Sequence, residues 1–179
     1  MNINKKLFIS KPTNNRLQKE IETYNLLDKL NITYTGVDHE AAMTIEDLYE
    51  VEKTLNVKVA KNLLLCNSSK TDFHLLIMPG HKKFVTKDFS KQIGSSRLSF
   101  ASGEHMEKLL NITPAALSVL GLMFDRERKV HLAIDKEVLE LEFMGCHPCV
   151  NTSTIKVKTT DIKDRFIAYT GHEVAIVEL

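Results

Sequence analysis

The chain has 179 residues, with 24 Lys+Arg against 23 Asp+Glu and a formal net charge of +1. At 43% hydrophobic and 26% charged its composition is that of an ordinary globular protein, which excludes disordered, collagen-like and low-complexity chains. The near-neutral balance also excludes a protein that coats nucleic acid non-specifically, since that task needs a basic excess, but it leaves room for a local basic patch.

The first ten residues contain Lys5 and Lys6 but no apolar run of signal-peptide length, and no stretch reaches the ~18–20 apolar residues of a membrane span. Three cysteines, an odd number with no export signal, read as reduced thiols in a cytoplasmic setting. Residues 1–13 read as an extension ahead of one domain spanning 14–179. Leu17, Ile21, Tyr24, Leu27 and Leu30 recur at helical spacing and predict a helix over 14–30. Residues 32–37 form a short strand signal. Thr44 followed by Glu46 and Asp47 predicts a helix N-terminus, with acids at the positive end of the helix dipole, running to about Leu55. Two strand-like runs, 59–66 and 73–78, flank the polar turn cluster 67–72. Short helices are expected at 87–93, stopped by Gly94, and at 104–111, ahead of Pro114. Strands follow at 130–134, 139–144 and 152–157, then a helix over 160–169 ended by Gly171, and a strand at 173–177. With no repeat period and no linker, the chain is expected to be a single α/β (α+β-like) domain.

Standard catalytic signatures are missing. Cys146-His147-Pro148-Cys149 is a C-x-x-C, but it follows a strand where a redox motif wants a helix N-terminus, and as a zinc half-site it lacks a second half. His172-Glu173 has Ile176 where a zincin needs its second histidine, and Gly80-His81-Lys82-Lys83 lacks the upstream glycine of a phosphate-binding loop. No metal or cofactor is therefore expected. Physically, Lys61 stands out: if 57–65 is extended, it shares a face with Val57, Val59, Leu63 and Leu65. A lysine in an apolar row either snorkels to water or serves a buried polar task, and if 57–60 stays helical it simply points outward. Asn62 falls on the opposite face. Gly145, His147, Pro148 and Asn151 crowd one loop, and Thr113-Pro114 opens a small-residue stretch to Leu122 that suits a pocket wall.

Taken in order, Ala60-Lys61-Asn62-Leu63, then Thr113-Pro114 through Ser118-Val119-Leu120-Gly121-Leu122, then Ile134-Asp135-Lys136, then Gly145-Cys146-His147-Pro148 with Asn151-Thr152 resemble the YbaK/ProX aminoacyl-tRNA deacylase superfamily. With the N-terminal helix and His39 the resemblance covers residues 14–178, and it looks most like the ProX branch. It implies a mixed, curved central sheet flanked by helices, and hydrolysis of a mischarged aminoacyl ester on tRNA, most of all alanine on proline tRNA. Lys61, Gly145 and His147 are the catalytic residues so implied. Asn62, His39, Ala115, Ser118, Gly121 and Asn151 are the expected substrate-binding residues. Ala115 and Val119 stand where many members carry the Gly and Pro of a Gly-x-x-x-Pro loop, and a side chain at 115 bears on amino-acid selectivity.

In the expected chemistry Lys61 supplies positive charge near the ester or terminal phosphate, backbone N–H groups around Gly145 polarise the carbonyl, and His147 and Asn151 orient substrate or water. The expected partner is aminoacylated tRNA, alongside prolyl-tRNA synthetase or an elongation factor, with no membrane and no DNA. Candidate phosphate contacts are Lys82, Lys83, Lys87, Lys91 and Arg97, and the cluster 126–129, although intervening acids and the near-neutral balance favour reading each as a solvated face. Two alternatives stand beside this reading: a same-family deacylase for Cys- or Ser/Thr-mischarged tRNA, and a catalytically inert tRNA- or synthetase-binding module.

Overall fold

Apolar residues that must leave water sort the strands into two sheets. The computed structural model describes residues 2–42, 44 and 46–179. In chain order the elements are β1 (Ile3–Phe8), α1 (Gln18–Lys29), β2 (Tyr34–His39), α2 (Tyr49–Leu55), β3 (Lys61–Cys66), β4 (Phe73–Met78), α3 (Thr86–Gln92), β5 (Ser99–Phe100), α4 (Gly103–Leu110), β6 (Val130–Asp135), α5 (Lys136–Leu139), β7 (Phe143–Cys146), β8 (Ser153–Lys158), α6 (Thr159–Asp161), α7 (Ala168–Thr170) and β9 (Val174–Val177). A four-stranded antiparallel sheet has the order β1-β2-β8-β7, and a five-stranded mixed sheet the order β5-β3-β4-β6-β9. In the second sheet β4, β6 and β9 are parallel, and β3 runs antiparallel to both of its neighbours.

β4 is central, and all six of its residues are buried, so it reads as a continuous apolar run without alternation. Phe73, Leu75 and Ile77 join the main core with Tyr24 and Leu27 of α1 and Ile155 and Val157 of β8. Leu76 and Met78 face the other way, into a smaller core with Leu65 and with Phe89 of α3. Lys61 and Leu63 share that outer face with Leu65, as the alternation predicts, whereas Asn62 points with Leu64 toward the main core.

The two sheets meet at one point. Val59 makes a parallel bridge to Gly145, whose N–H donates to the Lys58 carbonyl at 2.8 Å. This junction links the two sheets within one mixed α/β domain, the fold class that was expected. The approach is possible only because residue 145 has no Cβ: one built there would lie 2.8 Å from Val59 Cγ2 and 3.3 Å from the Lys58 carbonyl oxygen. Gly145→Ala is therefore expected to cost about 1–3 kcal/mol, as overpacking of a tight contact does. Urea unfolding checks this, and a midpoint equal to wild type would show that the junction opens freely.

Several boundaries depart from expectation. Residues 3–8 form an edge strand paired with β2, so the N-terminal extension is partly built into the domain. Phe8 supplies the reason, because its ring lies over Gly36, where any side chain would collide with it, and packs edge-on against Tyr24 at 6.0 Å. The strand expected at 139–144 starts only at Phe143, and Leu139 instead ends a short helix, Lys136–Leu139, that Asp135 caps by accepting a hydrogen bond from Glu137 N–H. The helix expected over 44–55 starts with a 3-10 turn at 46–48; Thr44 Oγ1 accepts from Asp47 N–H at 3.2 Å, the predicted cap. The last helix is interrupted by a π-helical stretch, Ile162–Ile167, and ends at Gly171 with φ of 71°, the left-handed stop the sequence predicts. No helix among the described residues is long and apolar enough to cross a membrane.

Candidate active site

His147 lies in the loop between β7 and β8 and is 6% exposed. Its Nδ1 stands 2.9 Å from the Ser153 carbonyl oxygen. A carbonyl only accepts, so Nδ1 carries the proton and Nε2 keeps its lone pair. The same reasoning applies to His39, whose Nδ1 faces the Glu40 carbonyl at 2.7 Å. His39 Nε2 then accepts from Thr154 Oγ1 at 2.8 Å, which leaves that oxygen free to receive the His147 Nδ1 proton as a second, longer contact at 3.3 Å. The two imidazoles, 6.0 Å apart, are thus locked in one tautomer by a chain of carbonyl, hydroxyl and ring. Burial holds His147 neutral, lowering its pKa to about 4, and lowers that of His39 as well. His147 Nε2 has no protein partner among the described residues.

Lys61 and Asn62 begin β3, beside the sheet junction. Lys61 Nζ donates to the Lys82 carbonyl at 2.9 Å, which leaves two ammonium protons for other acceptors. The apolar-row lysine therefore serves a polar task. Lys82 is held in turn, its own ammonium 3.0 Å from the fully buried Asp135 and 3.2 Å from Glu137. Asn62 Nδ2 donates to the Ala60 carbonyl, while Asn62 Oδ1 is buried with no hydrogen-bond partner. An orphaned buried acceptor costs about 1–3 kcal/mol, so this atom marks a place where a donor is missing.

Lys61, Asn62 and His147 converge on one pocket of about 220 Å³, closed by Ala115, Pro114 and Leu117 of the 113–118 segment and by Met106 of α4. Ala115 has φ of 66°, the left-handed region that suits glycine, so the loop keeps a glycine-like turn while adding a methyl to the pocket wall.

Other expected site residues lie elsewhere. Gly145 has spent its N–H on Lys58, so the amide expected to polarise an ester carbonyl is already occupied. Ser118 is fully buried and caps the 3-10 turn Val119–Met123 by accepting from Leu120 N–H. Gly121 packs against Ile112, where a Cβ would clash, and Val119 belongs to the main core. His39 stands behind His147 as its positioning partner. Asn151 ties the loop to Ala42, whose N–H donates to the Asn151 carbonyl at 3.1 Å. Sequence reasoning missed Thr154, which joins the two histidines; its only signal is a hydroxyl at a strand position that turns out fully buried. It also missed Met106 as a lining residue, whereas Pro114 and Leu117 lie in the stretch read as a pocket wall. The thiols of the C-x-x-C are buried and pushed up, Cys149 to about 12, which leaves them inert. His172 is likewise structural, 3.1 Å from the buried Asp125.

The single domain with its two joined sheets matches the fold of a candidate trans-editing enzyme for prolyl tRNA synthetase, with a TM-score of 0.69 at 11% identity over 92% of this chain and 99% of that one. The sequence profile of the aminoacyl-tRNA editing domain matches residues 39–164, and the chain belongs to that family: it is an aminoacyl-tRNA deacylase. Among relatives, the prolyl-tRNA editing protein ProX of Acetoanaerobium sticklandii is 28% identical over 153 residues, covering 86% of this chain and 93% of the relative. The prolyl-tRNA synthetase associated domain-containing protein 1 of Danio rerio is 27% identical over 163 residues, covering 90% and 86% respectively.

Proposed function

We propose that this chain acts in trans on tRNA for proline that carries alanine, and hydrolyses the aminoacyl ester. The observation that carries this reading is the small pocket of about 220 Å³ that Lys61, His147 and Asn62 line together beside short apolar side chains, with the Asn62 amide oxygen unpartnered. His147 Nε2 and Asn62 Oδ1 are acceptors that suit the α-ammonium of an aminoacyl group or a terminal ribose hydroxyl. Lys61 supplies the positive charge that favours the oxyanion as water adds to the ester carbonyl. The tetrahedral intermediate then collapses with loss of the ribose oxygen, which takes up the proton released by the water, giving free amino acid and tRNA. The ribose hydroxyl next to the ester is the group in reach of the water. Ala115, Pro114 and Leu117 set selectivity: a methyl side chain fits this wall, while the proline ring is excluded by size, a stronger discriminator than the ~1–3 kcal/mol of a single missing methylene.

The relative named a prolyl-tRNA editing protein, aligned over nearly its whole length, supports proline tRNA as the carrier, and the one named a prolyl-tRNA synthetase associated domain-containing protein supports an action alongside that synthetase. The test is one assay: purified protein with tRNA charged separately with alanine, cysteine, serine and proline, with release of amino acid followed over time. Alanine should be released well above the spontaneous rate and proline should not. Preferred release of cysteine or serine would replace the alanine assignment, and release of none would leave a tRNA-binding module.

A further inference from the structure

The chain is almost neutral, yet its charge is not evenly spread. Between Pro79 and Ala101 lie Lys82, Lys83, Lys87, Lys91 and Arg97 against a single acid, Asp88, so the rest of the chain is net acidic. Lys82 is committed to Asp135 and Glu137. Lys83, Lys87, Lys91 and Arg97 are exposed and make no ion pair among the described residues. Lys87 and Lys91 are one turn apart on α3 and share its outer face, opposite the buried Phe89. The same segment exposes aromatic surface. Phe100, on the edge strand β5, is 61% exposed, and its ring centroid lies 5.9 Å from that of Phe84. This face is continuous with the active site, because the Lys82 carbonyl, two residues before Phe84, holds the Lys61 ammonium.

Unpaired cations beside an exposed aromatic ring, Phe100, backed by the half-buried Phe84, form the surface that a single nucleic-acid strand recognises: phosphates meet the cations and bases stack on the ring. We infer that this face, with Lys83, Lys87, Lys91 and Arg97 as phosphate contacts and Phe100, backed by Phe84, as the stacking platform, seats the acceptor end of tRNA and leads its 3′ terminus to Lys61. The inference rests on the tRNA-editing reading and adds to it where the RNA lies. An acidic protein would satisfy the lysines but has no use for the exposed Phe100 ring.

Two variants test it, both read with uncharged tRNA so that binding is scored without hydrolysis. Replacing Lys83, Lys87, Lys91 and Arg97 together by glutamine should make the slope of log affinity against log salt shallower by about 3, since each neutralised phosphate contributes ~0.7–0.9 to that slope. The chain has no tryptophan, so Phe100→Trp places a sole indole on the platform. Its fluorescence should be quenched by tRNA with an intact 3′ end and not by tRNA trimmed of its single-stranded nucleotides. A salt slope equal to wild type in the glutamine variant overturns the inference. Quenching that survives trimming, or is absent altogether, overturns the stacking role, and poly-glutamate displacing tRNA as well as competitor tRNA does assigns the face to an acidic protein instead. A chain that binds through this face and hydrolyses no charged tRNA refutes the catalytic reading alone. One that hydrolyses normally while the four cations prove silent refutes this inference alone.

Discussion

Replacing Lys61 by methionine is expected to lower deacylation of the charged tRNA by about 10²–10³-fold while the protein stays folded. The rate loss is that of removing one preorganised donor from a developing oxyanion. The fold survives because methionine keeps most of the aliphatic stem on the outer face of β3, beside Leu63 and Leu65, and only the bond to the Lys82 carbonyl disappears. That carbonyl belongs to a partly exposed loop and finds water in its place, so the stability cost stays near ~1 kcal/mol. Single-turnover hydrolysis and thermal unfolding of the same preparation check both halves. Turnover close to wild type would remove Lys61 from the chemistry, and an unfolded variant would give it a structural role instead.

A second large effect is expected in the pH dependence of stability. His147 is buried and held neutral, with its pKa lowered to about 4 from the ordinary 6.5. A depressed folded-state pKa means that the unfolded chain takes up a proton, as the pH falls below 6.5, that the native state refuses. Stability from this group is therefore complete above pH 6.5 and is lost progressively down to about pH 4, by roughly 3 kcal/mol in all. His39, depressed by the same cause, acts in the same direction. Urea unfolding at pH 7.5, 5.5 and 4.5 should show the His147→Gln variant losing distinctly less stability than wild type over that range. Parallel losses would mean that the imidazole is not held neutral. The lone pair on Nε2 that the proposed chemistry uses persists over the same window, so turnover should show no transition near pH 6.5.

The histidine's place in the molecule separates what local sequence discloses from what it conceals. Periodicity locates most helices and strands because each buries a face, and the period of that face is written in consecutive residues. β1 escapes it because it is an edge strand whose residues are largely exposed, so no alternation marks it; its anchor is Phe8 over Gly36, a contact made only after folding. The strand expected from Leu139 begins late because Asp135, a buried cap, starts a short helix that runs through Leu139. The resemblance to a known family brings Lys61, Asn62 and His147 forward, and the pocket does gather those three.

Motif membership does not disclose role. Gly145, Ser118 and Gly121 sit inside the matching stretches, and the structure places them at a sheet junction, a turn cap and a packing contact. Thr154 is the converse: it is unremarked in the sequence but links His39 to His147 across more than a hundred residues of chain.

By itself, then, the sequence determined the single α/β domain, the near-neutral charge with its basic stretch between Pro79 and Ala101, and the identity of the lysine and histidine. Only the tertiary structure decided the direction of the Lys61 ammonium, the tautomer and neutrality of His147, and the position of the basic stretch beside the site. These properties depend on burial and on hydrogen-bond geometry, from Ser153 close to His147 in the chain to Lys82 beside the Lys61 ammonium, that only folding sets.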